Sequence, residues 1–161
     1  MNPSRASTPT PGPDTAPAGL GCTCFRLRSL SRVVTQIYDR ALAPSGLKVT
    51  QYSLIAHARR PRGSSAPSVS ELAQALYTDR TTLTRNLKPL QESGLIEVGA
   101  GADSRSRAVC VTTKGEAAYQ EARALWRAAQ DRMQRVCGAE KIAQLHALAE
   151  ELLPVLGRET A

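Results

Sequence analysis

Two helix-start signals follow each other closely in this chain, and nothing else in the sequence restricts its fold as tightly. Ser68-Val-Ser-Glu71 reads as a capping box, in which the serine hydroxyl and the glutamate carboxylate each satisfy a backbone N–H that a first helical turn leaves without a partner. The helix it opens is short and runs to about Leu76. Tyr77-Thr78-Asp79 then forms a turn, and Asp79 caps a second helix that carries Leu83, Leu87 and Leu90 on one face until Gly94 ends it. Two short helices joined through so brief a turn make a helix-turn-helix.

The next segment changes period. Leu95-Ile-Glu-Val98 is branched and partly alternating, Gly99 to Asp103 is turn-like, and Arg107 to Thr112 alternates again with Val109 and Val111 on one side. These pieces predict a hairpin wing of two to three strands. Upstream, Cys24, Leu27, Leu30, Val34, Ile37 and Ala41 recur at helical steps up to the break at Pro44 and Gly46. Thr50 is the expected cap of a helix burying Leu54, Ile55 and Ala58, which the Arg59 to Pro67 stretch interrupts. Downstream, Thr113-Lys-Gly-Glu116 reads as another capping box, opening a long helix through Leu125, Trp126 and Met133 to Gly138. A last helix carries Ile142, Leu145, Leu148, Leu152 and Val155.

The fold class is therefore mainly α, a winged helix-turn-helix with a helical dimerisation region. Residues 1–21 hold half of the ten prolines and no apolar period, so they are expected to be a disordered tail. Residues 22–161 are expected to be one domain, with the winged helix at about 47–112 and dimerisation helices at about 22–43 and 113–157. The heptad-like first and last helices predict a two-fold symmetric homodimer. An aromatic share of only 4% beside 42% apolar residues agrees with helix-on-helix packing.

Charge points to the partner. Lys and Arg number 21 against 14 acids, a formal net charge of +7, which favours a polyanion such as double-stranded DNA. No long apolar run marks a membrane segment, and no signal-peptide core follows the N-terminus, so the chain is expected in the cytoplasm with its four cysteines reduced. Projected at about 100° per residue, the second helix of the motif turns Thr81, Thr82, Arg85 and Lys88 away from its leucines. Arg85 suits paired hydrogen bonds to guanine in the major groove, the threonines suit phosphates, bases or thymine methyls, and Lys88 suits a phosphate. Pro89 removes the N–H that would bond the Arg85 carbonyl and is expected to kink the helix beyond the base-reading part. At the wing tip Arg105 and Arg107 can reach a narrow minor groove or flanking phosphates, with Asp103 placed to orient a neighbouring arginine. Solvated surface charge is the plain alternative for each of these residues. Their joint position within one motif favours DNA contact.

Several segments together resemble the MarR (multiple antibiotic resistance regulator) family of bacterial winged-helix repressors. They are Leu47-Lys-Val-Thr-Gln51, Ser70-Glu-Leu-Ala73, Asp79-Arg-Thr-Thr-Leu-Thr-Arg85, Glu92-Ser-Gly-Leu-Ile96, Asp103-x-Arg105-x-Arg107 and Val111-Thr-Thr-Lys-Gly115, within a likeness spanning about residues 22–157. The resemblance implies a dimer built from the first helix and the last two, a recognition helix from Asp79, a pseudo-palindromic operator, and Arg105 as the minor-groove residue. It also implies that Lys114-Gly115 starts the helix after the wing.

The resemblance implies, too, release of DNA by a small aromatic or phenolic effector or by cysteine oxidation. Arg26, Arg28, Tyr38, Tyr52 and His57 are candidates for the polar groups of an effector cleft. Cys22 and Cys24, beside Arg26 and Arg28 at a helix start, are the candidate redox pair, with Cys137 as a conceivable intersubunit partner. The other reading of Cys24 is a small core residue with Cys22 frayed, and Cys110 reads as structural. No cofactor or metal is expected, since His57 and His146 stand far apart without zinc-ligand spacing. No phosphate-cradling loop, activated nucleophile or paired carboxylates suggest a catalytic residue, so the chain is not read as an enzyme. The competing function is a winged-helix protein-interaction module without specific DNA binding.

Overall fold

The computed structural model describes residues 21–60, 65–101 and 106–159, so the proposed tail at 1–21 lies outside the described residues except for Gly21. The chain forms two compact units that divide between Gln36 and Ile37, within the first helix. That helix, α1 (Thr23–Leu42), is amphipathic, and its part in the first unit leaves Phe25, Leu27, Leu30 and Val33 exposed.

The second unit holds the remaining elements: α2 (Val49–Ala58), α3 (Val69–Ala75), α4 (Arg80–Glu92), strands β1 (Ile96–Ala100) and β2 (Arg107–Val111), α5 (Thr113–Cys137) and α6 (Ala139–Glu159). A short 3-10 turn at Ala43–Ser45 ends in Gly46, whose φ of 72° turns the chain into α2. The cap of α2 is Lys48, not Thr50, which lies inside the first turn. No side-chain cap is needed from the lysine itself. The Lys48 N–H donates to Gln51 Oε1 (2.9 Å) and the Val49 N–H to Asp39 Oδ1 (2.8 Å), so the orphan donors are met by a neighbour in the helix and by α1.

The helix-turn-helix forms as its caps dictate. Ser68 Oγ accepts from the Glu71 N–H (3.1 Å) while Glu71 returns a carboxylate to the Ser68 N–H (2.6 Å), and Asp79 Oδ1 accepts from the Thr82 N–H (2.8 Å). These bonds hold both carboxyls below the ordinary range. In the turn, Tyr77 adopts φ 48°, a left-handed conformation costly for a bulky residue, and the Thr78 N–H bonds back to the Ala73 carbonyl. Helix α4 runs on through Pro89 to Glu92.

The antiparallel wing pairs Ile96 with Val111 and Ala100 with Arg107, and a Ser68–Ala108 bridge lends it a third, single-residue strand position. Leu42, Ile55, Leu72, Leu83, Leu90, Ile96 and Val109 are fully buried where α2, α3, α4 and the wing meet. Each such side chain stabilises the fold by about 1.5–3 kcal/mol relative to exposure. Cys110 sits on the opposite side of β2 from Val109 and is exposed, which overturns its reading as a structural residue. The helix after the wing is capped one residue earlier than its sequence suggests: Thr112 Oγ1 accepts from the Gly115 N–H (3.0 Å), and Glu116 is thereby released from any capping box.

Candidate nucleic-acid interface

With Leu83, Leu87 and Leu90 buried, α4 presents its opposite side to solvent. Arg80, Thr81, Thr84, Arg85, Lys88 and Gln91 line one open groove along it. Three of the four helix residues singled out from the sequence, Thr81, Arg85 and Lys88, are thus brought together. Thr82 is not: it is half-buried on the far flank, with its N–H tied to Asp79. Arg80, Thr84 and Gln91, which the leucine spacing alone does not mark, join them. They occupy the flank between the outer face and the leucine stripe, and the hairpin decides their surroundings, since Arg80, Thr84 and Gln91 share a small cleft with Arg107 at the start of β2.

Arg107 is exposed, as expected of a wing cation, and stands beside α4. Asp103 and Arg105 lie outside the described residues. Lys88 Nζ is 3.8 Å from Glu92 Oε1 on a fully solvated surface, a pairing too weak to hold it from another anion. Arg80, Arg85, Lys88 and Arg107 therefore form a cationic strip along one helix and the loop end of the wing strands, with threonine hydroxyls and a glutamine amide between them.

Behind the strip, α2 and α5 are joined by an aromatic stack. Tyr52 lies 5.1 Å from Tyr119 and 5.8 Å from Trp126, and Arg59 sits 4.0 Å over the Tyr119 ring. The Arg59 guanidinium donates to both oxygens of Glu116, at 2.7 and 2.8 Å. That pairing, followed by the Gln120 amide, holds the Glu116 carboxyl below its ordinary value. Burial, then hydrogen bonding with Tyr119, pushes the Tyr52 phenol up to about 12. Tyr52 is therefore a core residue in this chain, and buried Tyr38 bonds to Gln130. His57 is exposed, its Nδ1 2.7 Å from the Ser53 carbonyl.

Among the described residues, all four cysteines are free thiols; Cys22 and Cys24 are exposed and Cys137 is half-buried. No group of three or more His, Cys, Asp or Glu among the described residues could hold a metal ion, and no described helix is long and apolar enough to cross a membrane.

No family model matches the chain. Among solved structures it is similar to the Mycobacterium tuberculosis transcriptional regulator MosR in complex with DNA, at 40% identity over 81% of this chain and 98% of that one, with a TM-score of 0.65. A MarR-family regulator from Rhodococcus sp. RHA1 shares the fold at 21% identity, over 80% of this chain and 90% of that one, with a TM-score of 0.68. The chain belongs to the MarR family. It is also 27% identical over 96 residues, 60% of its own length and 68% of the relative's, to the uncharacterized HTH-type transcriptional regulator YwoH of Bacillus subtilis. These relatives are named as transcriptional regulators, and the present chain is a transcriptional regulator of the winged-helix type.

Proposed function

We propose that this regulator binds duplex DNA sequence-specifically as a homodimer in the cytoplasm, with α4 in the major groove and the wing on the flanking backbone or minor groove. The observation that carries the reading is the cationic strip of Arg80, Arg85, Lys88 and Arg107 on a helix whose other side is fully committed to the core. The MosR relative solved on DNA supports it. Arg85 reads a base from the middle of the outer face; Thr81 and Lys88 contact base edges or phosphates on either side; Arg107 meets the backbone. Dimerisation is supported by the exposed Leu145, Leu148, Leu152, Val155 and Leu156 along α6, too many apolar side chains for a helix that works alone.

The test compares duplexes selected from a random library by the protein with unselected random duplexes, by fluorescence anisotropy over a salt series. Arg85→Ala should cost about 1–3 kcal/mol on selected DNA and much less on random DNA. Equal losses on both would make Arg85 a phosphate contact. Binding to neither, or binding insensitive to salt, would favour the protein-interaction reading instead.

An oxidant-responsive form of this function has one observation in its favour: Cys22 and Cys24 are both exposed free thiols at the start of α1. Diamide should release the wild-type chain from DNA and leave a Cys22→Ser, Cys24→Ser double variant bound.

A further inference from the structure

The first turn of α5 touches several parts of the DNA-reading unit at once. Thr112 Oγ1 lies 2.7 Å from the Gly94 carbonyl and 3.2 Å from that of Leu95, donating its hydroxyl proton into this pair while accepting from the Gly115 N–H. The Thr112 N–H itself donates to the Leu95 carbonyl (3.1 Å). Lys114 Nζ donates to the Ser93 carbonyl at 2.8 Å. Gly115 is buried so closely against the Leu95 carbonyl that a Cβ there would collide with it, and would also stand 2.9 Å from Val111 Cγ1. Glu116 holds Arg59 just past the end of α2.

Two features make this more than ordinary packing. A lysine in the first turn of a helix is placed against the helix dipole, which favours anions there, yet Lys114 does not turn back along α5: its ammonium spans to the opposite pole of another helix, the carbonyl at the C-cap of α4. Ser93, Gly94 and Leu95 are also the only residues between α4 and β1, so whatever fixes their carbonyls fixes the angle at which wing and recognition helix meet. Gly94 is left-handed at φ 70°, a conformation that aims this short link toward α5.

Resting on the DNA-binding reading above, we infer that Thr112 and Lys114 are positioning residues for DNA recognition: they set the spacing of α4 and the wing from the first turn of α5 without touching DNA. Free energy enters through specificity, because a duplex that matches one spacing of helix and wing loses contacts when the spacing loosens, whereas random DNA, bound through phosphates, tolerates it. Lys114 is exposed and its stem survives replacement by methionine, so Lys114→Met tests the bond without opening the core.

The experiment uses the full chain. Lys114→Met should weaken binding to a library-selected duplex about tenfold, the worth of a hydrogen bond from a charged group, with little change on random duplex. The salt slope should stay unchanged, and Lys114→Arg should recover most of the loss. Hydrogen exchange in the absence of DNA should quicken at Ser93 to Leu95 and along β1 in Lys114→Met, and more so in Thr112→Val. A fall of about one unit in salt slope, with equal losses on both duplexes, would make Lys114 a phosphate contact and overturn the inference. Unchanged exchange at the link would overturn it as well, whatever happens to DNA binding. If the unaltered chain binds neither duplex, the functional reading itself falls and takes this role with it, an outcome read from the wild type before any variant is made.

Discussion

The helix-turn-helix and the last helix solve the same problem in opposite ways. In the former, the apolar stripes close on their own chain: Leu72 of α3 is 1% exposed, and Leu83 and Leu90 of α4 are each 0% exposed. Along α6 the stripe stays open, with Leu148 at 52%, Leu152 at 41% and Leu156 at 54%, and only Ile142 near the start of the helix is buried. The reading module is thus complete in one chain, while α6 carries apolar surface that one chain does not cover. A regulator divided this way folds its DNA-facing part locally and leaves symmetry to helices whose stability depends on protein concentration.

Core truncation should break that contrast most forcefully. Leu90→Ala should lower stability by about 3 kcal/mol through lost burial and the cavity left behind, equally at all protein concentrations, in urea unfolding followed by circular dichroism. Leu152→Glu should act on the other half of the contrast. It should leave helical content intact and convert the light-scattering mass from dimer to monomer at micromolar concentration. An unaltered mass for Leu152→Glu, or a concentration-dependent penalty for Leu90→Ala, would mean that the two regions do not differ in the way their burial suggests.

The same contrast explains what could be read from the residues alone. The reading module was legible because its signals are local: the Ser68–Glu71 box, the Asp79 cap and the leucine spacing each act within one or two turns, and each appears as expected. The misreadings arose where a tertiary partner decided the outcome. Thr50 lost the capping role because Asp39 reaches the start of α2 from another helix, and Glu116 left the expected box because Arg59 and an adjacent threonine, Thr112, offered a different arrangement. In the interface, Arg80, Thr84 and Gln91 were passed over because they flank the leucines, and only the folded hairpin turns that flank toward Arg107.

The smallest expected effect concerns the support behind the reading module, where Arg59, just past α2, meets Glu116 of α5, the helix that precedes α6. Glu116 is held below the ordinary carboxylate value of 4.5, first by the Arg59 guanidinium and then by the Gln120 amide. A carboxyl depressed by folding stabilises the native state above its ordinary value and loses that contribution as pH falls through the lower folded value. The side chains of Arg59 and Glu116 remain 32% and 44% exposed, so solvent screens the pair and its worth is held to about 0.5 kcal/mol. Glu71 and Asp79, whose carboxyls are likewise lowered by their capping bonds, lose stability over the same acid range and would mask the effect in the wild type alone. The difference between wild type and Glu116→Gln removes them, because both proteins carry both caps. That difference should be measurable in urea midpoints near neutral pH and close as pH falls below the ordinary carboxylate value and through the lower folded one. A gap that persists unchanged in acid would assign that support to the packing of Arg59 on Tyr119, which does not titrate with the carboxyl.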